Sequence, residues 1–306
     1  RVRSSAASDV YKRQAKDLGT STLDYTKAAL IYYQQGLDGN AVTERTNATL
    51  KLANTTGEAA NQVSDYMTAI WNNFEDGSHT IEYYADVLAK LGAETASSSD
   101  EIAAGLEKFA SVAETVGLSY EYATSALTTI TAATRQSADV VGTALKTLFS
   151  RIQDLELGNT LDDGTTLGKY SEALEKVGIN IKTQSGDLKD MDDILDEMGA
   201  KWSTLNKDQQ VALAQAVAGV RQYNQLMALM NNWSDMETNV ERATNAAGTL
   251  NKQQDVYMES TKAHLEQLGT AAERVMDAFI DNKGMNDLID DATSLTTLFA
   301  NFVESL

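Results

Sequence analysis

The residues able to do chemistry are few, and their spacing argues against a catalytic centre. Asp162 and Asp163 are adjacent carboxylates, the raw material of paired acid–base work. They sit in "LDDGTTLGKY", where adjacent acids followed by glycine make a turn. Asp190, Asp192, Asp193, Asp196 and Glu197 carry enough oxygen for a calcium ion, but lack the alternation of ligands around a central glycine that a calcium loop needs. Their spacing fits an acidic first turn that complements a helix dipole. His79 and His264 lie far apart and there is no cysteine, so the sequence assembles neither a triad nor a zinc site. Surface or cap roles are expected of both histidines. No GxxxxGK[ST] or GxGxxG phosphate loop occurs. Trp71, Phe74, Tyr83 and Tyr84 read as helix core. The expectation is a chain that is not an enzyme, with no cofactor and no metal.

The elements that would position these residues are helices. Proline breaks helix interiors, and there is none in 306 residues. Ser21 with Asp24, Thr55 with Glu58, Ser98 with Glu101 and Asn206 with Gln209 read as cap and third-position pairs that open helices. Gly36, Gly92, Gly117, Gly178 and Gly199 fit helix ends. Val141, Leu145, Leu148, Ile152 and Leu155 step along one helical face. A weak repeat aligns Leu52–Ile70 with Val112–Ile130, each a helix end, a Thr-x-Gly turn and a new helix. Between Gly158 and Met191 the pattern changes. Ile179 and Ile181 alternate with polar residues and Ser185-Gly186 turns the chain, which predicts a small β-hairpin near 179–190. The predicted fold class is all-α, a multi-helix module of helical hairpins with that one β-hairpin.

One stretch is unusual. "VALAQAVAGVRQYNQLMALM", Val211–Met230, reads as a helix with a glycine and an arginine at its centre. Ala212, Ala216 and Gly219 fall on one face at i, i+4 and i+7, where small residues allow a second helix to approach closely. Arg221 and Asn224 sit just beyond. These five residues are a candidate joint, either in the packing of one chain or between copies. Within one chain, Arg221 is expected to meet an acidic partner in the core, because buried charges are paired.

Hydrophobic residues make up 42%, enough to bury a core, and the formal net charge is −19. That charge disfavours nonspecific binding to nucleic acid or anionic membrane, both of which are driven by clustered Lys and Arg. No apolar run reaches membrane-spanning length. "SSAASDVYKRQ", Ser4–Gln14, matches the in-frame translation of a sequencing-library adapter, so residues 1–14 are expected to be an artefact. Without their four basic and one acidic residues, 21 basic and 43 acidic residues remain, a net −22. The chain then has no initiator Met and is expected to be a fragment of a longer, largely helical reading frame. The expected organisation is 15–247 as a core region and 248–306 as an amphipathic helical continuation.

Several stretches together carry a resemblance: "YMTAIWNNF", "SSDEIAAGLEKFASVAETVGLSYEYATSALTTITAATRQSADVVGTALKTLFSRIQ", "LEKVGINIKTQSGDLKDMDDILDEMGAKW" and "QQVALAQAVAGVRQYNQLMALMNNW". In order and spacing they resemble the core region of tail tape measure proteins of long-tailed bacteriophages and prophages. The resemblance spans about Leu18 to Ala247. It implies a largely helical structural protein that fills the tail tube in several copies. Tube subunits polymerise around it, its length sets tail length, and it leaves during genome ejection. Implied partners are the tail tube protein, tail assembly chaperones and other copies of itself. DNA would pass without specific binding, and any host envelope contact would come from parts outside this segment. The implied location is the tail lumen, after assembly in the bacterial cytoplasm. A continuous helix of 306 residues would reach about 460 Å at about 1.5 Å per residue. The frequent caps and glycines instead predict a compact or rearrangeable module. Two other classes remain open to the sequence: a helical secreted or cell-surface binding module, and a wall hydrolase with its catalytic domain elsewhere.

Overall fold

A computed structural model describes residues 2–280 and 285–304. Sixteen helices account for most of them, in the order α1 (Val2–Asp17), α2 (Thr22–Gln34), α3 (Gly39–Thr56), α4 (Ala60–Phe74), α5 (Ile81–Glu94), α6 (Ser99–Glu107), α7 (Ala110–Thr115) and α8 (Tyr120–Thr134), then α9 (Ala138–Glu156), α10 (Leu167–Glu175), α11 (Met191–Trp202), α12 (Lys207–Asn231), α13 (Trp233–Thr244), α14 (Thr249–Met258), α15 (Thr261–Ile280) and α16 (Met285–Glu304). The all-α class holds. The β-hairpin does not form. A single antiparallel bridge, Lys182 to Leu188, is the only β pairing among the described residues. Ile179 and Ile181 are buried while Asp187 and Leu188 stay exposed. The two isoleucines therefore anchor a loop on the helical core. Two short arms without a third strand have no ladder to extend.

The chain divides into two compact units. The first comprises Arg1–Met67, Thr80–Asp86 and Gly248–Leu306, and the second Thr68–His79 and Val87–Ala247. In the first unit α2 packs on α3, α1 packs on α2 and α15, α14 lies on α3, and α15 pairs with α16. Tyr25, Tyr32, Leu50, Leu52 and Met67 are buried there. Asp86, 4% exposed, caps α14 from a distance: it accepts from Gly248 N at 2.9 Å and Leu250 N at 2.7 Å. Burial raises its pKa, against those two bonds.

In the second unit α8 is central and touches α6, α7, α9, α12 and α13. Tyr120 and the unbroken run Ala123–Ile130 are buried in α8. A helix buried all round cannot be apolar on one stripe only. Its composition solves this with small residues and threonines that satisfy themselves: Thr124 donates to Tyr120 O at 2.8 Å and Thr128 to Thr124 O at 2.7 Å. Val141, Leu145, Leu148, Ile152 and Leu155 form the buried face of α9 as the spacing predicts.

The cap signals divide. Ser21 caps α2, and Ser98–Glu101 and Asn206–Gln209 each close a reciprocal box. Thr55 does not open a helix. It lies in the last turn of α3, donates back to Leu52 O, and hands the turn to Gly57 in the left-handed region. Gly36, Gly117 and Gly178 have positive φ beside helix ends. Gly92 and Gly199 are instead inside α5 and α11, where they give room to a neighbour. The repeat segments both run from helix end through a left-handed glycine, Gly57 or Gly117, into α4 or α8.

Candidate functional site

The candidate joint lies in α12, and the structure rearranges it. Helix α12 is two helical arms meeting at Gly219, whose φ of 72° and ψ of 168° fall in a region open essentially to glycine alone. The row of small residues therefore ends at the break. Leu213, Ala214, Val217 and Ala218 face the core from the first arm. Ala212 is exposed, Ala216 half-buried and Gly219 buried, so these three do not form the packing face. Arg221 and Asn224 are exposed on the second arm. The expected core ion pair of Arg221 is not formed: its position is one that faces outward once the helix breaks. The five residues are neighbours in sequence, and only Gly219 occupies the joint itself.

What meets Gly219 is Arg151 of α9. A Cβ placed on Gly219 would lie 3.4 Å from the Arg151 guanidinium. Arg151 is held from the other side by Asp163 at 2.7 Å and by donating to Thr165 Oγ1 at 2.9 Å, and its buried Nε has no acceptor. Asp163 also accepts from Thr165 N at 3.0 Å. The Thr165 hydrogen bonds, with Arg151 behind them, hold the Asp163 carboxyl down at about 2. The adjacent acids thus build a turn, with Gly164 N bonding Leu161 O, and its task is to fix an arginine against the break.

The two arms converge on Trp202 at the end of α11. Gln210 of the first arm donates to Trp202 O at 2.9 Å, and Trp202 Nε1 donates to Asn231 Oδ1 of the second at 2.8 Å. In a straight helix those two residues would stand about 32 Å apart, at about 1.5 Å per residue. One tryptophan cannot span that, so α12 is sharply bent. Gln225 adds a bond to Gln136 Oε1 at 2.6 Å. Sequence reasoning found Gly219 but missed Arg151 and Trp202. Their roles depend on contacts 68 and 17 residues away from Gly219, and no local pattern marks them.

The acidic cluster is a second joint. Asp190 is the cap position of α11, and its carboxyl crowds Gly117, where a Cβ would meet Oδ1 at 2.4 Å. Met191 N donates to Val116 O at 3.0 Å and Ser119 N donates to Asp192 at 3.1 Å. Burial, against the Ser119 bonds, pushes the Asp192 carboxyl up to about 7. Tyr122 donates to Asp196 at 2.7 Å, and Glu197 pairs with Lys189. The cluster thus staples α11 to the turn before α8. No group of three or more His, Cys, Asp or Glu among the described residues is placed to hold a metal ion. His79 lies 3.7 Å from Glu121, and His264 is on α15. Trp71, Tyr83 and Tyr84 are buried, and the Phe74 ring lies 5.4 Å from that of Tyr120.

The family model for phage-related minor tail protein matches residues 12–219, about two thirds of the chain, and the chain belongs to that family. The family is one of structural phage tail components. The match begins within α1 and ends at the residue where α12 breaks. No solved structure matches the chain. No helix among the described residues is long and apolar enough to cross a membrane.

Proposed function

We propose that this chain is the core region of a tail tape measure protein, the component that scaffolds tail tube assembly and sets tail length. The observation that carries the reading is the ordered set of stretches from "YMTAIWNNF" to "QQVALAQAVAGVRQYNQLMALMNNW", set within a chain of the phage minor tail family. Its helical make-up and net charge of −19 suit a molecule that sits in a tail lumen where DNA later passes without sticking. Its partners in this reading are the tail tube protein, tail assembly chaperones and other copies of itself, and it leaves the tube during genome ejection. Host envelope contact belongs to parts of the protein outside this segment. Residues 15–247 act as the core region and 248–306 as a helical continuation.

The test is to read the parent DNA outward from both ends, then shorten the open frame. A frame running on beside tail tube and chaperone genes, with in-frame deletions that shorten tails in electron micrographs in proportion to residues removed, supports the reading. A frame that closes beside a signal peptide or a wall hydrolase, or tails of unchanged length, overturns it.

A further inference from the structure

Helix α12 is bent at a residue whose neighbours give no reason to stop a helix. Ala216, Val217 and Ala218 precede Gly219, and Val220, Arg221 and Gln222 follow it. None is a proline, and none supplies the side-chain cap a new helix would want. The bend is therefore imposed from outside, by Trp202 bonding both arms and Arg151 filling the elbow. Its purpose in this form is legible from phase. The buried residues of the first arm are Leu213, Ala214, Val217 and Ala218, and those of the second are Gln225, Leu226, Leu229 and Met230. At about 100° per residue the two stripes would point about 120° apart on one straight helix. The break at Gly219 lets both stripes pack into the second unit without the helix being enclosed on every side, as α8 is.

We propose that α12 is a two-state element: bent at Gly219 in the compact unit, and able to close into one continuous helix when the Trp202 and Arg151 contacts are released. The straight form restores glycine to an ordinary helical conformation and joins two arms of good helix-forming sequence. It also turns one apolar stripe away from its own core, so it persists only where another surface covers Leu226, Leu229 and Met230. The inference rests on the geometry of α12 and does not depend on the tape measure reading.

The experiment measures a distance across the elbow. The chain has no cysteine, so Lys207→Cys and Asn224→Cys, both at exposed positions, accept a nitroxide pair specifically. A straight α12 places these positions about 26 Å apart along the axis. Gly219→Ala is the perturbation, because the added Cβ has room against Arg151 and only the backbone conformation is penalised. The expected result is a shift of the distance distribution from a shorter value to about 26 Å with helical circular dichroism retained. Trp202→Phe, which removes one of the two bonds, is expected to populate both distances. A folded Gly219→Ala chain that keeps the short distance overturns the proposal. If Gly219→Ala fails to fold, amide exchange of the unsubstituted chain decides. Exchange of residues 216–223 well before the rest of the unit supports two states, and exchange only with global unfolding overturns them.

Discussion

Gly199 and Gly219 lie twenty residues apart in one helical region, and they answer opposite needs. Gly199 has ordinary helical geometry inside α11, and the Trp233 indole lies where its side chain would be, 2.0 Å from an added Cβ. Gly219 has space, with nothing closer than 3.4 Å, but a backbone conformation that other residues reject. One glycine is there for volume, the other for dihedral angle. Sequence pattern reads them the other way round, Gly199 as a helix end and Gly219 as the middle of a helix, whereas Gly199 lies inside α11 and Gly219 is where α12 breaks. The difference predicts which substitutions a neighbour can rescue.

Volume glycines should be the more costly. Gly142 of α9 is the extreme case: a Cβ there would sit 2.2 Å from the Gly105 carbonyl oxygen of α6, which is backbone and has no rotamer to yield. Gly142→Ala is expected to destabilise the second unit by about 3 kcal/mol, read from chemical denaturation, because the two helices must part. A loss below about 1 kcal/mol would break the argument. Gly199→Ala should cost about 2 kcal/mol. Trp233→Leu in the same chain should recover part of that loss, since the clash is with the indole. By contrast, Arg151→Ala should recover none of the cost of Gly219→Ala. Equal rescue at the two sites would abolish the distinction drawn between them.

Much of the fold is legible from local grammar, and the joints are less so. Ser21, Ser98 and Asn206 open helices as their sequence neighbours predict, because a cap is a bond to a residue three positions on. The apolar row Val141–Leu155 is buried because helical period alone sets its face. The candidate joint is only half legible. A glycine in a helix can be seen, but whether it bends the helix depends on Arg151 and Trp202, which no spacing rule connects to it. The Ala212–Ala216–Gly219 row follows helical period, but the first arm buries Leu213, Ala214, Val217 and Ala218 instead, and the φ of 72° at Gly219 redirects only the residues that follow it, Arg221 and Asn224 among them. The predicted hairpin failed for a related reason: Ile179 and Ile181 alternate as a strand would, yet the burial that alternation promised is supplied by helices.

Gly117 combines both needs and adds a proton. It has φ of 69°, is crowded by Asp190, and is bridged by Asp192 through Ser119. Asp192 titrates at about 7 in the folded chain, well above an exposed aspartate near 3.9. Such a carboxyl binds its proton more tightly folded than unfolded. It stabilises the second unit fully below about pH 4, and that contribution is lost as pH rises through 7. Between pH 5 and 8 the unsubstituted chain should lose about 2 kcal/mol of unfolding free energy relative to Asp192→Asn. The substitution keeps an acceptor for Ser119 N and removes the titration. Parallel pH profiles for the two proteins would show that dihedral angle and volume alone define this joint.

The smallest effect is the most local, and it asks whether Gly219 separates the arms energetically as well as geometrically. Asn206 and Gln209 cap the start of α12, thirteen residues before the break. Asn206→Ala should cost about 1 kcal/mol, the ordinary worth of an N-cap. In one cooperative helix that loss would spread along its length. With a break at Gly219 it should stop there: amides of residues 209–216 exchange faster, while those of 222–230, held by Gln136 and Trp202, do not change. Faster exchange on both sides would mean that the two arms melt as one element despite the bend. The joint would then have shape without independence, and Gly219 would have to be grouped with Gly199 as a residue that serves packing.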